Sequence, residues 1–208
     1  MTTGKLYPIV APPGAGKNTI SNTIVQTLNN CTIISASQIL KESGLNTTSG
    51  ILLSDNQVNS ILIEKIQNEL QNNKFVFIDG YPRTTIQLNA LLSSALEISG
   101  IIQLDLSKEN IESRILDRIV CPKCGKSYTK GNFNPPLKKG ICDNCFSPLE
   151  TRADDDLTTF RKRYDEYFKK TYPIIDEAKK SNIPIYFYNT ITTKPQKIKD
   201  FLKTFLEF

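Results

Sequence analysis

A glycine-rich turn that ends in a lysine is the first segment whose residue types could do chemistry. Gly14-Ala15-Gly16-Lys17-Asn18-Thr19 follows the apolar run Lys5–Val10 and precedes apolar residues at helical spacing, Ile20, Ile24, Val25 and Leu28. Such a turn directs backbone N–H groups and the positive end of a helix dipole at one point, which suits a polyphosphate. We expect it to wrap phosphates, with Lys17 reaching the outer ones and the Thr19 hydroxyl near a metal ion. The alternative is a structural turn with an incidental lysine.

Two positions depart from the strict form of this phosphate-binding pattern. The pattern has glycine at position 11 and serine or threonine directly after the lysine, whereas this chain has Ala11 and Asn18. If position 11 requires a positive φ, alanine there costs about 1–2 kcal/mol.

Two Cys-x-x-Cys pairs form a second constellation, Cys121 with Cys124 and Cys142 with Cys145. Four thiolates at about 2.3 Å around a tetrahedral ion make a closed, structural zinc site of the zinc-ribbon kind. Because sulfur fills every position, such a metal would hold its segment together and take no part in catalysis. Two disulfides, free thiols and iron in place of zinc are the alternatives. Cys31 lies apart and is expected to pack in the core.

Composition narrows the chemistry further. The 208 residues are 39% hydrophobic and 23% charged, which is an ordinary globular composition, and none is histidine. The missing histidine excludes Ser-His-Asp triads and histidine-ligated metals. A net charge of +5 permits an anionic ligand. We find no apolar run of about 18 residues and no signal-peptide pattern, and so expect a cytoplasmic protein without membrane contact.

Short apolar runs alternate with helix-period segments and must position these groups. The predicted strands are Lys5–Val10, Thr32–Ser35, Phe75–Ile78, Ile101–Asp105 and Pro184–Tyr188. One predicted helix face carries Val58, Ile61, Leu62, Ile66 and Leu70, and another carries Ile198, Phe201, Leu202, Phe205 and Leu206. This βαβ rhythm predicts an α/β fold with a parallel sheet covered by helices. Pro8 lacks an N–H, so we expect a bulge or a shortened strand there.

Further motifs join the phosphate turn along the chain. They are Ile34-Ser35-Ala36, Asp79-Gly80-Tyr81-Pro82-Arg83-Thr84 with Gln87, Arg114 and Arg118, Thr151-Arg152-Ala153-Asp154-Asp155, and Arg161-Lys162-Arg163. With Pro13–Lys17, they make the chain resemble the adenylate kinase family of nucleoside monophosphate kinases over nearly its whole length. The resemblance implies a three-layer P-loop fold with a five-stranded parallel sheet. Its core would be 1–35, 74–118 and 154–208, with a helical acceptor-binding excursion at 36–73 and a zinc-binding lid at 119–153.

The resemblance also implies a reaction and a role for each site residue. The activity would be reversible, Mg-dependent phosphoryl transfer from ATP to AMP, giving two ADP, by a monomer. On the donor side it implies Gly14, Ala15, Gly16, Lys17, Asn18 and Thr19 at the phosphates, Arg114 on the adenine, and Ser127, Tyr128 and Lys194 near the ATP. It implies Arg118, Arg152 and Arg163 around the transferring group, Arg83 on the acceptor phosphate, and Asp79 holding Mg²⁺ through water. Around the acceptor it implies Ala36, Lys41, Ile51, Leu52, Leu53, Gly80, Tyr81, Pro82 and Gln87, with Gln87 reading the base.

The acceptor pocket departs from the family pattern. Adenylate kinases normally carry Thr at position 36, Asp at 38 and Arg at 41, where this chain has Ala36, Gln38 and Lys41. A lysine supplies a point charge where arginine can donate two parallel hydrogen bonds, so binding of the acceptor phosphate should weaken by about 1–2 kcal/mol. Ala36 is typical of uridylate–cytidylate kinases, whereas Thr84, Gln87 and the long lid favour AMP. UMP or CMP is therefore the alternative acceptor.

A nucleic-acid-binding ATPase with a zinc-ribbon reading head is the alternative from another class. Five lysines and one acidic residue lie between Cys121 and Cys145, which favours contact with phosphate backbones. Only Tyr128 and Phe133 could stack on bases there, and no acidic residue for activating water follows Asp79 directly. We therefore expect no nucleic-acid partner.

Overall fold

Five parallel strands form the centre of the protein. The computed structural model describes residues 4–44, 54–131, 134–151, 155–190 and 197–206. The strands are β1 (Lys5–Val10), β2 (Cys31–Ser35), β3 (Phe75–Asp79), β4 (Ile101–Asp105) and β7 (Ile185–Asn189). They lie in the order β2-β3-β1-β4-β7, and every pair in this sheet is parallel. The predicted strands are confirmed to within one residue at each end. The central strands β1, β3 and β4 are buried over most of their length, whereas the edge strands β2 and β7 are mostly half-buried.

The missing N–H of Pro8 interrupts the sheet on one side only. The register of β1 with β3 runs without a bulge from Lys5 to Ile9, so the expected bulge is wrong. Leu6 directs both backbone groups at Ser99, its N–H to the hydroxyl and its carbonyl to the Ser99 N–H. Backbone groups alternate sides along a strand, so Pro8 faces β4 as Leu6 does. Pairing with β4 is accordingly confined to Ile9 and Val10.

Helices cover both faces of the sheet, which gives three layers. They are α1 (Lys17–Thr27), α2 (Ala36–Glu42), α3 (Asp55–Asn72), α4 (Thr85–Leu92), α5 (Lys108–Leu116), α6 (Leu157–Glu166), α7 (Pro173–Lys180) and α8 (Ile198–Lys203). One core lies between the sheet and α2, α3, α4 and α7, and a second lies between the opposite face and α1, α5, α6 and α8. The predicted apolar faces of α3 and α8 are confirmed as core faces.

Two local features of the helices matter for the site. α3 begins with a capping box, in which the Ser54 hydroxyl accepts from the Gln57 N–H and the Gln57 side chain accepts from the Ser54 N–H. A π-helical turn, Tyr167–Thr171, joins α6 to α7. It lets the Thr171 hydroxyl donate to the Arg83 carbonyl at 2.9 Å, so this turn contacts the loop after β3.

A small second sheet stands apart from the large one. The antiparallel strands β5 (Arg118–Val120) and β6 (Ser127–Thr129) pair Ile119 with Tyr128. Single bridges from Val120 to Glu150 and from Ile141 to Pro148 complete the segment. Within the ranges described, we find no helix long and apolar enough to cross a membrane.

Candidate active site and metal centre

A cleft of about 420 Å³ opens beside the loop that follows β1. Five cationic side chains line it, and they come from distant parts of the chain: Lys17, Arg83, Arg114, Arg118 and Arg163. The predicted residues Gly14, Gly16, Asn18, Thr19, Ser127 and Tyr128 line it as well. β1 and β3 both end at this edge of the sheet, where parallel α/β folds bind ligands.

Glycine geometry explains how the loop after β1 reaches the cleft. Gly14 has φ +81°, and a Cβ there would stand 2.6 Å from Ile111 Cγ2 and 2.9 Å from Ile115 Cδ1. Any side chain at position 14 would therefore displace α5 from the loop. Gly16, with φ 90°, precedes α1, so the unpaired N–H groups of the first helical turn face the cleft. Ala15 is buried in the core and does not line the cleft.

Ala11 does not adopt a positive φ, so alanine at this position does not strain the backbone of the loop. The described non-glycine residues with positive φ are Asn30, Phe146 and Asn182. Ala11 is not among them, and its side chain is buried in the core. The strain expected from a positive φ at Ala11 is therefore absent, because the loop places its left-handed residues at Gly14 and Gly16.

Lys17 lies where several charges act on it. Burial in the cleft lowers the pKa of its ammonium group, Asp79 raises that pKa, and Arg83 and Arg118 lower it further. The net direction is downward from 10.5. Lys17 is therefore a cation held in an already positive cleft, an arrangement that an anionic ligand would stabilise.

Arg118 is held by the carboxylate of Asp155, just before the N-terminus of α6. Its guanidinium donates through Nε and Nη2 to the two carboxylate oxygens of Asp155. The Asp155 side chain is 1% exposed and that of Arg118 is 23% exposed. A two-point contact fixes the plane of a guanidinium, so Asp155 sets the direction in which Arg118 faces the cleft.

The other arginines are anchored differently. Arg114 donates to the Thr190 hydroxyl at 3.2 Å and to the Thr190 carbonyl at 2.6 Å, and burial lowers its pKa. Arg83 donates through Nε to the Gly80 carbonyl at 2.9 Å. Arg163 lies on the exposed face of α6. The remaining described arginine, Arg161, donates to Glu112 at 3.0 Å and is not in the cleft.

The loop after β3 lies beside the cleft and contacts α3. The Gln87 side chain is buried, accepts from the Arg83 N–H at 2.7 Å, and donates to Asp55 at 2.8 Å. The Tyr81 hydroxyl, also buried, donates to Asn59 at 2.9 Å. Asp55 and Asn59 are one helical turn apart, so two polar contacts join this loop and the start of α4 to α3.

Several predicted acceptor residues do not line the cleft. Ala36 is buried in the core at the start of α2, and Lys41 is exposed near its end. Gly80, Tyr81, Pro82 and Gln87 lie in the adjoining loop and α4. Five predicted site residues fall outside the described residues: Ile51, Leu52, Leu53, Arg152 and Lys194.

The cleft also contains residues that sequence reasoning missed. They are Pro13, Ser37, Ile115, Thr129, Asn134, Asp155 and Phe160. Asp155 carried a signal, since an acidic residue next to predicted phosphate-binding arginines invites an ion pair. Ser37 and Asn134 carried none, because only the folded chain brings α2 and the segment after β6 to the cleft.

The four cysteines of the two pairs meet at one point. Their sulfur atoms all lie within 4.8 Å of one another, with Cys121 Sγ 3.3 Å from Cys145 Sγ and Cys124 Sγ 3.5 Å from Cys142 Sγ. Thiolates bound tetrahedrally to one ion stand about 3.8 Å apart, so this set fits a metal. These two separations exceed the about 2.05 Å of an S–S bond, so the structure favours a metal site over two disulfides.

The two cysteine pairs have nearly the same backbone. The Gly125 N–H donates to the Cys121 carbonyl, and the Phe146 N–H donates to the Cys142 carbonyl, each at 2.9 Å. Burial by itself raises the pKa of Cys142, but hydrogen bonds from Tyr128 and from the backbone of Asn144 and Cys145 lower it to about 6. These donors favour the thiolate, which is the form that binds metals.

Comparison with known proteins gives the site a family. Residues 9–183 match the family model described as adenylate kinase. The adenylate kinase of Thermosipho africanus is 33% identical over 83% of this chain and 86% of its own. That of Thermococcus onnurineus is 36% identical over 84% and 83%, and that of Methanocella arvoryzae is 34% identical over 86% and 88%. The chain belongs to the adenylate kinase family and is a phosphotransferase of that family.

Proposed function

We propose that the chain transfers the terminal phosphoryl group of ATP to AMP, reversibly and with Mg²⁺, to give two ADP. The observation that carries the proposal is the convergence of Lys17, Arg83, Arg114, Arg118 and Arg163 on one cleft beside a phosphate-binding loop. Phosphoryl transfer passes through a loose transition state and needs positioned positive charge more than a base. A chain without histidine is suited to that chemistry.

On the donor side, we assign the phosphates to the N–H groups of Gly14–Thr19. Lys17, Arg118 and Arg163 would surround the transferring group, and Arg152, outside the described residues, would complete the set. Binding the phosphates would offset the repulsion among these cations, because the phosphate oxygens place negative charge between them. Arg114, fixed by Thr190, would lie against the adenine, with Ser127, Tyr128 and Lys194 near the same nucleotide.

On the acceptor side, we assign the phosphate to Arg83 with Lys41. Gly80, Tyr81, Pro82, Ala36 and Ile51–Leu53 would border the nucleotide, and Gln87 would contact the base. Both functional atoms of the Gln87 amide already make one protein contact. The amide keeps one N–H and one lone pair for a base, so it can contribute one donor and one acceptor from a fixed orientation.

Magnesium has a place at the same edge of the sheet. Asp79 ends β3 close enough to Lys17 to raise its pKa, and Thr19 lines the cleft. A carboxylate and a hydroxyl are ligands that Mg²⁺ accepts, directly or through water. We propose that Asp79 and Thr19 hold the ion, which would supply charge neutralisation between the phosphates.

Water must be excluded if phosphate is to reach a nucleotide. We propose that the segments 36–73 and 119–153 act as covers over the core formed by 1–35, 74–118 and 154–208. The support is that Ser37 from the first segment, and Ser127, Thr129 and Asn134 from the second, line the cleft of the core.

The decisive experiment is a coupled assay with ATP and Mg²⁺ across AMP, UMP, CMP and GMP. We expect AMP to give the highest kcat/KM. A higher kcat/KM with UMP would assign the specificity to Ala36 and overturn the role given to Gln87. Absence of phosphate transfer to any of the four would overturn the proposed reaction.

For the four-cysteine group, we propose a structural zinc ion. Elemental analysis should find about one zinc per chain, and chelation should lower the melting temperature of the second sheet while leaving the core unchanged. We further propose a monomer in the cytoplasm. A reducing compartment keeps cysteines available as metal ligands.

A further inference from the structure

Tyr128 places its hydroxyl against a sulfur atom of the cysteine cluster. Its side chain is 2% exposed. The hydroxyl oxygen lies 3.5 Å from Cys142 Sγ and 2.8 Å from the Asp143 backbone nitrogen. The ring lies opposite Ile119 in the β5–β6 pair, and Lys126 Nζ stands 5.5 Å from its centroid.

The direction of these hydrogen bonds follows from the groups involved. A backbone N–H can only donate, so the Tyr128 oxygen accepts from Asp143. Its single O–H hydrogen is then available for Cys142, whose sulfur accepts when it is a thiolate. The Asn144 N–H approaches the same sulfur at 3.4 Å. Cys142 thus has hydrogen-bond donors around it both from a side chain and from the backbone.

The same tyrosine also forms part of the wall of the cleft. Tyr128 lines the cleft together with its β6 neighbours Ser127 and Thr129. One side chain therefore contacts both the cysteine cluster and the cavity that receives the nucleotide. The Cys142 contact limits where the ring can go, because moving the ring would break the O–H···S bond.

We propose that Tyr128 is a positioning residue of the metal centre, whose hydroxyl stabilises the Cys142 thiolate and is itself held in place by the loaded cluster. A site of four thiolates carries two negative charges in excess of a divalent ion, so each donor to sulfur strengthens it. In return, the metal fixes the ring that borders the cleft. This proposal rests on metal occupancy of the four cysteines, which is therefore measured first.

The test compares Tyr128→Phe with the wild type, after elemental analysis has shown metal in the wild type. The variant keeps the ring and loses one hydroxyl. We expect a chelator to remove metal from the variant about 10-fold faster or more. With Co²⁺ in place of the native ion, we expect the sulfur-to-cobalt charge-transfer band to move to longer wavelength. The thiolate lone pair rises in energy when its hydrogen-bond donor is removed.

Thr129→Val is the matched control, because it removes a hydroxyl from the same strand. Thr129 Oγ1 accepts from the Asn134 N–H at 2.9 Å and donates to the Gly131 carbonyl at 3.2 Å, and it makes no contact with sulfur in the described structure. The control should leave the charge-transfer band unchanged.

Three results would overturn the proposal. They are an unchanged band and release rate in Tyr128→Phe, the same changes in both variants, and loss of metal from both variants alike. Loss of metal from Tyr128→Phe alone, with an intact core transition by calorimetry, would support it. A wild type without metal would refute the zinc proposal, and the proposal for Tyr128 with it, while leaving the phosphotransferase assignment in place.

Discussion

At the residue scale, the charge of Lys17 destabilises the ligand-free protein but favours binding of a phosphate. Burial is the largest cause that lowers the pKa of its ammonium group; Asp79 opposes this effect, and Arg83 and Arg118 add to it. Before a ligand binds, this arrangement disfavours the charged form. A cation held at that cost binds phosphate without reorganising, which is what stabilises developing charge in a transition state.

Lys17→Met should therefore separate activity from stability. We expect the rate of ADP formation to fall at least ~10²-fold, because a positioned charge is lost. We expect the free protein to gain about 0.5–2 kcal/mol in free energy of unfolding, since the replacement removes a repelled buried cation. Denaturant titration and the coupled assay measure both. The exposed Lys199→Met on α8 should change neither, and a stability loss in Lys17→Met would contradict this account.

The same lysine predicts a pH dependence with a definite sign. The folded-state pKa of Lys17 lies below its ordinary 10.5, so the unfolded chain binds more protons across that interval. The destabilising contribution of Lys17 is thus complete below the folded pKa and disappears as pH rises toward 10.5. The difference in unfolding free energy between Lys17→Met and the wild type should shrink over this range. A difference that grows with pH would have the wrong sign.

The Arg118–Asp155 ion pair should contribute more to the free energy of unfolding than the exposed Arg161–Glu112 pair. Asp155→Asn leaves a guanidinium without its buried carboxylate and should cost about 2–4 kcal/mol of unfolding free energy. It should also lower kcat, because Arg118 loses its fixed direction. Glu112→Gln breaks the Arg161 pair, whose side chains are 56% and 25% exposed, and should cost less than about 1 kcal/mol. Thermal unfolding of both variants checks the prediction, and equal costs would refute it.

At the scale of elements, the two cysteine turns differ at one equivalent position. Gly125 has φ 72° and Phe146 has φ 59°. The Phe146 side chain is 78% exposed, so its packing does little to offset the free-energy cost of the left-handed backbone. Glycine adopts this region without the Cβ clash that costs other residues about 1–2 kcal/mol.

Substitutions at these two positions should act in opposite directions. Phe146→Gly should stabilise the segment by about 0.5–1 kcal/mol, after allowing for the greater freedom of glycine in the unfolded chain. Gly125→Ala, which meets no atom within 4 Å, should destabilise it through φ alone. Hydrogen exchange of the Cys121 and Cys142 amides reports the local stability. Slower exchange in Gly125→Ala than in Phe146→Gly would contradict the prediction.

Elements were predictable from sequence where one local signal decided them. The strands were recognisable because their apolar runs are short and continuous, and α3 and α8 were recognisable because their apolar residues repeat with helical spacing. Of the two effects expected of Pro8, the bulge is wrong and the shortening affects only the pairing with β4, because sequence does not show which neighbour a strand residue faces. The π-helical turn at Tyr167–Thr171 had no recognisable pattern, and its Thr171 contact depends on tertiary structure.

In the candidate site, the charged residues were predictable from sequence, whereas their contacts with other side chains were not. Lys17 and the arginines of the cleft stand in motifs with specific spacing. The contact of the Tyr128 hydroxyl with Cys142 and that of the Gln87 amide with Asp55 join side chains 14 and 32 positions apart in sequence. Their partners are decided by packing, which no local pattern records.

At the scale of the whole molecule, the sheet order determines which cations meet. β1 lies between β3 and β4, so the phosphate loop after β1 is flanked by the loops that follow its two neighbours. One neighbour leads to Arg83, and the other leads through α5 to Arg114 and Arg118. Two ligands approaching from opposite sides would therefore meet with their phosphates over Lys17.

The structure with a bisubstrate compound, two adenosines joined through five phosphates, tests this claim most directly. We expect one compound per chain, with its phosphate chain lying against the Gly14–Thr19 amides, Lys17, Arg83, Arg118 and Arg163. A crystal structure in which these guanidinium groups point into solvent, or in which the phosphates lie elsewhere, would contradict it.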